Sequence, residues 1–188
     1  MSKKDDGRFL HPAQKPKTRE LWGSGNYRAW ESKVNVFIIK EASSKFKIDE
    51  LLKIMSEINS TKGSTVQIFY PGMVIDEIHL AGAYMNAVAA FKSHTNISKS
   101  VATEMLLFAA MTRQINDAIK LVGAKSNKRF ILFASNCNAY KKAKKVLDHV
   151  KEHKVSDAHS IAAAKKFGID AKKDLDLFVL QRMAVSKL

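Results

Sequence analysis

The side chains that can do chemistry in this sequence are few. His149 and His153 stand four apart, with His159 beyond them, so on a helix the first pair would share a face and could approach a divalent metal. Such a site needs a third ligand and supporting carboxylates, and the lysines around this pair would repel a cation. A solvated helix face is the expectation. Cys137 precedes a helical pattern, where the helix dipole can favour a thiolate. No His–Asn or His–Asp partnership is identifiable for it, and a packed thiol fits better. Glu104 interrupts an otherwise apolar run. A carboxylate buried there needs a partner, and Arg113 can reach it, so an ion pair that pins the fold, or an exposed face, outweighs a catalytic acid. Gly23-Ser24-Gly25 lacks the spacing and the Lys-Ser/Thr of a phosphate-binding loop. There is no dinucleotide fingerprint and no His-Glu-x-x-His. These observations point away from an enzyme, from a cofactor or metal, and from a small-molecule substrate.

What remains is charge. The 188 residues hold 32 Lys and Arg against 18 Asp and Glu, a formal net charge of +14. A surplus of that size favours RNA, DNA or acidic lipid as a partner, although a basic solubility device has the same composition. Lys99, Arg113 and Lys120 can share one side of the segment 97–123. With Lys141, Lys142, Lys144, Lys145 and Lys151 they can make a basic surface. Phosphate contacts of this kind give salt-dependent affinity with little sequence specificity, and apolar side chains beside them can hold unstacked bases at a single-stranded end. Lys99, Arg113 and Lys120 are therefore the candidate RNA-binding residues, and an ordinary solvated face is the competing reading. No apolar run approaches the roughly 20 residues of a membrane span, and no secretory signal opens the chain. With a single cysteine no internal disulfide can form. A cytoplasmic protein without membrane contact is expected.

The elements that must position these groups follow from periodicity. Residues 1–32 are basic, hold two of the chain's three prolines and sustain no period. They read as an arm, with the domain proper at 33–188. Residues 34–40 form a strand candidate. Ile48, Leu51, Leu52, Met55 and Ile58 follow helical spacing. Residues 65–70 form a second strand, stopped by Pro71-Gly72. A helix at 76–92 is apolar on most sides and carries Gly82, which costs about 1 kcal/mol there and so implies close packing against a neighbour. Residues 97–123 read as two helices joined at Thr112, which can cap the second, while Gly123 can supply a left-handed end. In that second helix Ile115, Ala118, Ile119 and Val122 make the apolar face. Residues 129–135 form a strand. A helix capped by Asn138 then buries Ala139, Ala143, Val146, Leu147 and Val150. Ser156 can cap a helix ending at Gly168, and Asp170 can cap a last one with Leu175, Phe178, Val179 and Met183 in register. The fold class is α/β, a single mixed-sheet domain of three or four strands packed by several helices.

The segment 104–123, EMLLFAAMTRQINDAIKLVG, resembles the signature of the small kinase-binding subunit of the KEOPS (EKC) complex. The resemblance rests on Glu104 opening a Leu-rich helix, Arg113-Gln114-Ile115, Ala118-Ile119 and Gly123. The helix at 79–91, the strand at 129–134, Lys166-Phe167-Gly168-Ile169 and Leu177-Phe178-Val179-Leu180 are also similar, so the likeness spans about 34–188 and leaves the arm out. It implies a non-enzymatic subunit that binds the small atypical protein kinase/ATPase of the complex. The assembly places a threonylcarbamoyl group on the adenosine beside the anticodon. Archaeal members also tether the 3′ CCA end of tRNA, and the small size here suggests an archaeal member. On this reading the last helix contacts the kinase through Leu177, Leu180 or Met183, unless all three lie in the domain's own core. A general RNA-binding protein and a kinase regulator without RNA contact are the alternatives.

Overall fold

The computed structural model describes residues 37–170 and 175–185. In chain order its elements are β1 (Ile38–Ser43), α1 (Ile48–Asn59), β2 (Val66–Phe69), a 3-10 turn (Pro71–Met73), α2 (Glu77–Lys92), α3 (Val101–Ala109), α4 (Ile115–Val122), β3 (Phe130–Ala134), α5 (Cys137–Lys144), β4 (His149–Glu152), α6 (Asp157–Lys166) and α7 (Leu175–Val185). The expected arm at 1–32 lies outside the described residues.

The sequence Phe-Ile-Leu-Phe-Ala of β3 is buried at every position. Phe130, Leu132 and Ala134 enter one hydrophobic core, and Ile131 and Phe133 enter another, which is the two-residue alternation of a pleated strand. A strand apolar on both faces has to lie inside a sheet covered on both sides. β3 does, between β1 and β2 in the order β2-β3-β1-β4. Beneath one face lie Leu51, Met55 and Ile58 of α1 with Ala139 and Ala143 of α5. Against the other pack α2, α3, α6 and α7.

The α/β expectation holds, with four strands. Their pairing, however, is antiparallel throughout rather than mixed. The cause is topological. β1-α1-β2 is a crossover whose strands run the same way but leave a gap one strand wide, and β3 fills it in the opposite direction. β3-α5-β4 repeats the device with β1 in its gap. Two interlocked split βαβ units give the β-α-β-β-α-β order of ferredoxin-like folds, with α2, α3 and α4 inserted between β2 and β3.

Several boundaries differ from the periodicity reading. The first strand runs over 38–43, later than expected, with 34–36 outside the described residues. The helix expected to continue to Val150 stops at Lys144. Val146 and Leu147 close tight turns, and Asp148 donates its amide to Ser43 O at 2.9 Å, which starts β4. Val146, Leu147 and Val150 still pack against the predicted core, but from a turn and an edge strand. His149 and His153 are thus not on a helix, and among the described residues no group of three or more His, Cys, Asp or Glu could hold a metal. Asn136, not Asn138, caps α5, accepting from Ala139 N at 2.9 Å. The expected Asp170 cap for α7 is separated from Leu175 by residues outside the description.

Three helices end in the same closure. After α2, α3 and α6 the chain turns left-handed at His94, Met111 and Gly168, and paired backbone bonds close back on the last turn, as from Thr112 N to Leu107 O and from Met111 N to Phe108 O. Ser156 caps α6 as expected.

Gly82 fulfils the close-packing expectation, and its neighbour is α7. A Cβ at Gly82 would stand 2.5 Å from Leu180 Cδ2. Gly82→Val should therefore lower stability by about 2 kcal/mol through overpacking, as read by urea denaturation. Adding Leu180→Ala should recover part of that loss.

Candidate functional site

α3 is the most deeply set helix, with every residue from Leu106 to Ala109 and also Ala102, Glu104 and Met105 buried. A helix so placed cannot leave its end groups to water. At its start, Ser100 accepts from Thr103 N at 3.1 Å. The fully buried Glu104 carboxylate turns back to accept the amides of Ile97, at 3.1 and 3.2 Å, and Ser98, at 2.8 Å. The backbone of the preceding loop is thus among the partners that its burial requires. At the far end His79 of α2, fully buried, accepts from Ile75 N through Nδ1 at 3.2 Å and gives its Nε2 proton to Ala109 O at 2.9 Å. Burial holds the imidazole neutral, its pKa lowered to about 4.

Beyond α3, Thr112, Arg113 and Gln114 make a polar corner. Thr112 does not cap α4: the closure of α3 consumes it, and Gln114 takes the cap position without a side-chain bond. Thr112 Oγ1 instead accepts from Gln114 N at 3.3 Å. Gly123 is extended rather than left-handed, with φ −62° and ψ 148°. It bridges to Phe69 of β2, and a Cβ there would stand 2.5 Å from Ile119 O. Its role is close approach.

The glutamate-held loop delivers Lys99 to the rim of a cavity of about 500 Å³ at the free side of β2. Leu52, Met55, Leu106 and Ile119 give it apolar walls, and Ser56 and Thr103 add hydroxyls. Leu52 and Ile119 are 42% and 50% exposed. Ile119 was expected on the buried face of α4, but Ala118 and Val122 complete that face with half-buried Ile115, and Ile119 is left over for the cavity. Lys120 is exposed in the last turn of α4, next to Ile119. Arg113 is exposed at the corner beyond the opposite end of α3 and does not line this cavity. The fold thus places Lys99 and Lys120 toward one end of the α3–α4 pair and Arg113 at the other.

The kinase candidates divide. Met183 is fully buried in the domain's own core because it sits in the stripe with Val179 that packs toward α2. Leu180 lies against Gly82. Leu177 is 55% exposed, and beside it stand Phe178 and Val185, at 50% and 60%. With Met183 withdrawn, the outward apolar set of α7 is Leu177, Phe178 and Val185. Periodicity assigned Phe178 inward. The signal that it faces out is that Val179 and Met183, one turn apart, already complete the buried stripe.

The profile of the family described as Kinase binding protein CGI-121 matches residues 47–187, which spans every described helix and three of the four strands. The chain belongs to the CGI-121 kinase-binding protein family. Comparison with curated proteins gives no match. In this family member the matched region includes both the Lys99 cavity and α7.

The seat of α7 has its own electrostatics. Asp76 caps α2, accepting from His79 N at 2.7 Å, and its carboxyl neighbours that of Asp176 in the first turn of α7. Burial, and then the neighbouring Asp176 carboxyl, raise the Asp76 pKa to about 6. Asp76 therefore holds a proton in the folded state that the unfolded chain gives up above about pH 4, and stability is lost as pH rises through about 6. His79 acts oppositely: the unfolded chain protonates it below about 6.5 while the folded state does not, so stability is lost as pH falls toward 4. The two slopes offset each other between about pH 4 and 6.

Two outcomes follow from these contacts. Asp176→Asn should raise stability at pH 7.5 by about 1 kcal/mol and expose a steeper loss below pH 6 from His79, measured as urea midpoints at pH 7.5 and 4.5. Glu104→Ala should cost about 3 kcal/mol by orphaning buried amides, with Glu104→Gln costing less, and should speed proteolysis near Lys99.

Proposed function

We propose that this CGI-121 family member is the kinase-binding subunit of a KEOPS-type assembly of archaeal kind, working in the cytoplasm without catalytic chemistry of its own. It docks the small kinase/ATPase through the outward face of α7 and helps recruit tRNA for threonylcarbamoyladenosine modification. The observation that carries the kinase contact is the apolar face of Leu177, Phe178 and Val185 on a chain of a kinase-binding family. Exposed aromatic and aliphatic side chains grouped on one helix are the usual anchors of such an interface. Leu180 and Met183 act behind that face by seating the helix.

The Lys99 cavity supports the tRNA contact. Its apolar walls suit an unstacked base and its ammonium rim suits a phosphate, which fits the 3′ CCA end. Lys120 extends the positive rim, while Arg113, at the other end of α3, serves as an outlying phosphate contact. The absence of carboxylates among the residues lining the cavity also favours this reading over a kinase regulator without RNA contact.

Co-purification with the kinase/ATPase and filter binding to tRNA test both halves. Phe178→Glu should abolish kinase capture and leave tRNA affinity within twofold. Lys99→Glu should weaken tRNA binding about tenfold and leave kinase capture intact. Removing the CCA end should weaken the wild type to the same degree. Equal affinity for intact and truncated tRNA would remove the CCA assignment.

A further inference from the structure

A second cavity of about 500 Å³ opens where the α1–β2 turn meets α5. Lys62, Lys141, Lys142 and Lys145 line it, with the amides of Asn136 and Asn138, and no carboxylate is among its lining residues. Four ammonium groups around one concavity repel each other unless an anion lies between them. The structure fixes one: Lys142 Nζ donates to Thr61 Oγ1 at 3.0 Å. Asn136 is also held, its amide bonded to Gly63 O at 2.9 Å, which ties the turn to the start of α5. The cavity walls are therefore built from anchored backbone.

The position of this cavity gives it meaning. Asn59 and Ser60 line the Lys99 cavity, and the next residues, Thr61 and Lys62, line the lysine cavity. Adjacent Cα atoms are about 3.8 Å apart, so the two concavities meet across the C-terminal end of α1. One is apolar with a single lysine on its rim; the other is polar and strongly cationic. That is the division of a single-stranded nucleic acid, whose bases seek apolar surface and whose phosphates seek charge.

We propose that the lysine cavity binds backbone phosphates of a single RNA strand whose terminal base occupies the Lys99 cavity, so that the two form one continuous track over the end of α1. The proposal rests on the tRNA contact proposed above and adds its second anchor. A lipid surface fits less well. The exposed residues of α5 are Cys137, Asn138, Lys141, Lys142 and Lys144, which include none of the large apolar side chains that an interfacial helix inserts.

The test is fluorescence anisotropy on the full chain with four probes: intact tRNA, tRNA lacking its CCA end, a short CCA-ended oligonucleotide, and phosphatidylserine vesicles. Lys141→Glu/Lys145→Glu spares the Lys142–Thr61 bond. It should weaken intact tRNA at least tenfold at about 100 mM salt and lower the magnitude of the salt slope by about two. The short oligonucleotide, which keeps the terminal base for the Lys99 cavity but brings fewer phosphates to the lysine cavity, should lose less affinity than intact tRNA. Lys141→Gln/Lys145→Gln should show a smaller loss in the same direction, and an unchanged melting temperature excludes unfolding as its cause. Wild-type affinity and salt slope in the double variant would overturn the lysine cavity while leaving the Lys99 reading intact. Equal losses on the short and long probes would overturn the division of the track. If truncating the CCA end has no effect but the double variant still weakens tRNA, the terminal-base reading fails and the phosphate site stands as a separate one. No tRNA binding by the wild type at low salt, or lysine-dependent binding confined to phosphatidylserine vesicles, would overturn both.

Discussion

A helix buried along most of its length has few places to send its end groups except into the protein, and α3 is held by that constraint. Its first turn is closed by Ser100 and by a buried glutamate bonded to the loop before it; its last carbonyls are met by His79 and by the turn at Met111. Each of these is a polar group placed in an apolar core at a desolvation cost that only its bonds offset. The same bonds decide what reaches the surface. The amides that Glu104 holds belong to the two residues before Lys99, so the position of that lysine follows from a carboxylate beneath it. The closure at Met111 sets where α4 begins, and hence that Ile119 and Lys120 fall beside the cavity while Arg113 stays at the corner.

Sheet topology supplies the rest of the surface. β2 is an edge strand, and an open edge invites pairing with another chain. Here Tyr70 N bonds Val122 O at 2.8 Å and Gly123 bridges to Phe69, so the insertion of α2, α3 and α4 returns to cover part of that edge. The cavity occupies the remaining gap between α1 and the α3–α4 pair. At the opposite edge β4 is short and charged. Arg129 makes two bonds to Glu41, at 3.1 Å each, and Lys151 makes a third contact at 2.8 Å, which leaves that edge pinned and hydrophilic. The Arg129 guanidinium, and then Lys151, hold the Glu41 carboxyl below its ordinary range against the opposing effect of burial.

Much of this was legible in the chain. α1, α2, α3, α6, β2 and β3 follow from period and from the stops at Pro71-Gly72 and Gly168, and Gly82 announced a close neighbour. Periodicity failed where an apolar residue satisfied the spacing without being needed. Leu52, Ile119 and Phe178 all fit a helical register, yet each core stripe is complete without them, and each ends on the surface. It failed again at 146–150, where Val146, Leu147 and Val150 reach the expected core from a turn and a strand, because burial alone does not fix backbone geometry. Strand pairing could not be read at all. The split crossovers depend on β3 entering a gap left far earlier in the chain, and no local pattern records that gap.

The surplus apolar residues fall on two separate surfaces. Leu52 and Ile119 flank the lysine-rimmed cavity at the β2 side; Leu177, Phe178 and Val185 lie on α7, which is seated on α2. Between the two stand α3 and its end groups. A charge change at Lys99 has no reason to unseat α7, whereas a change at Gly82, Leu180 or Asp176 acts on α7 directly. Asp76 and His79 are the exception, since the Asp76 carboxyl accepts the His79 backbone amide at 2.7 Å. Asp76 meets the first turn of α7, and His79 meets the last carbonyl of α3. Proton binding at this pair therefore touches the seats of both helices, and its two members respond to pH with opposite sign. A pH dependence shared by the Lys99 cavity and the outward face of α7 therefore has a physical route through that one turn of α2.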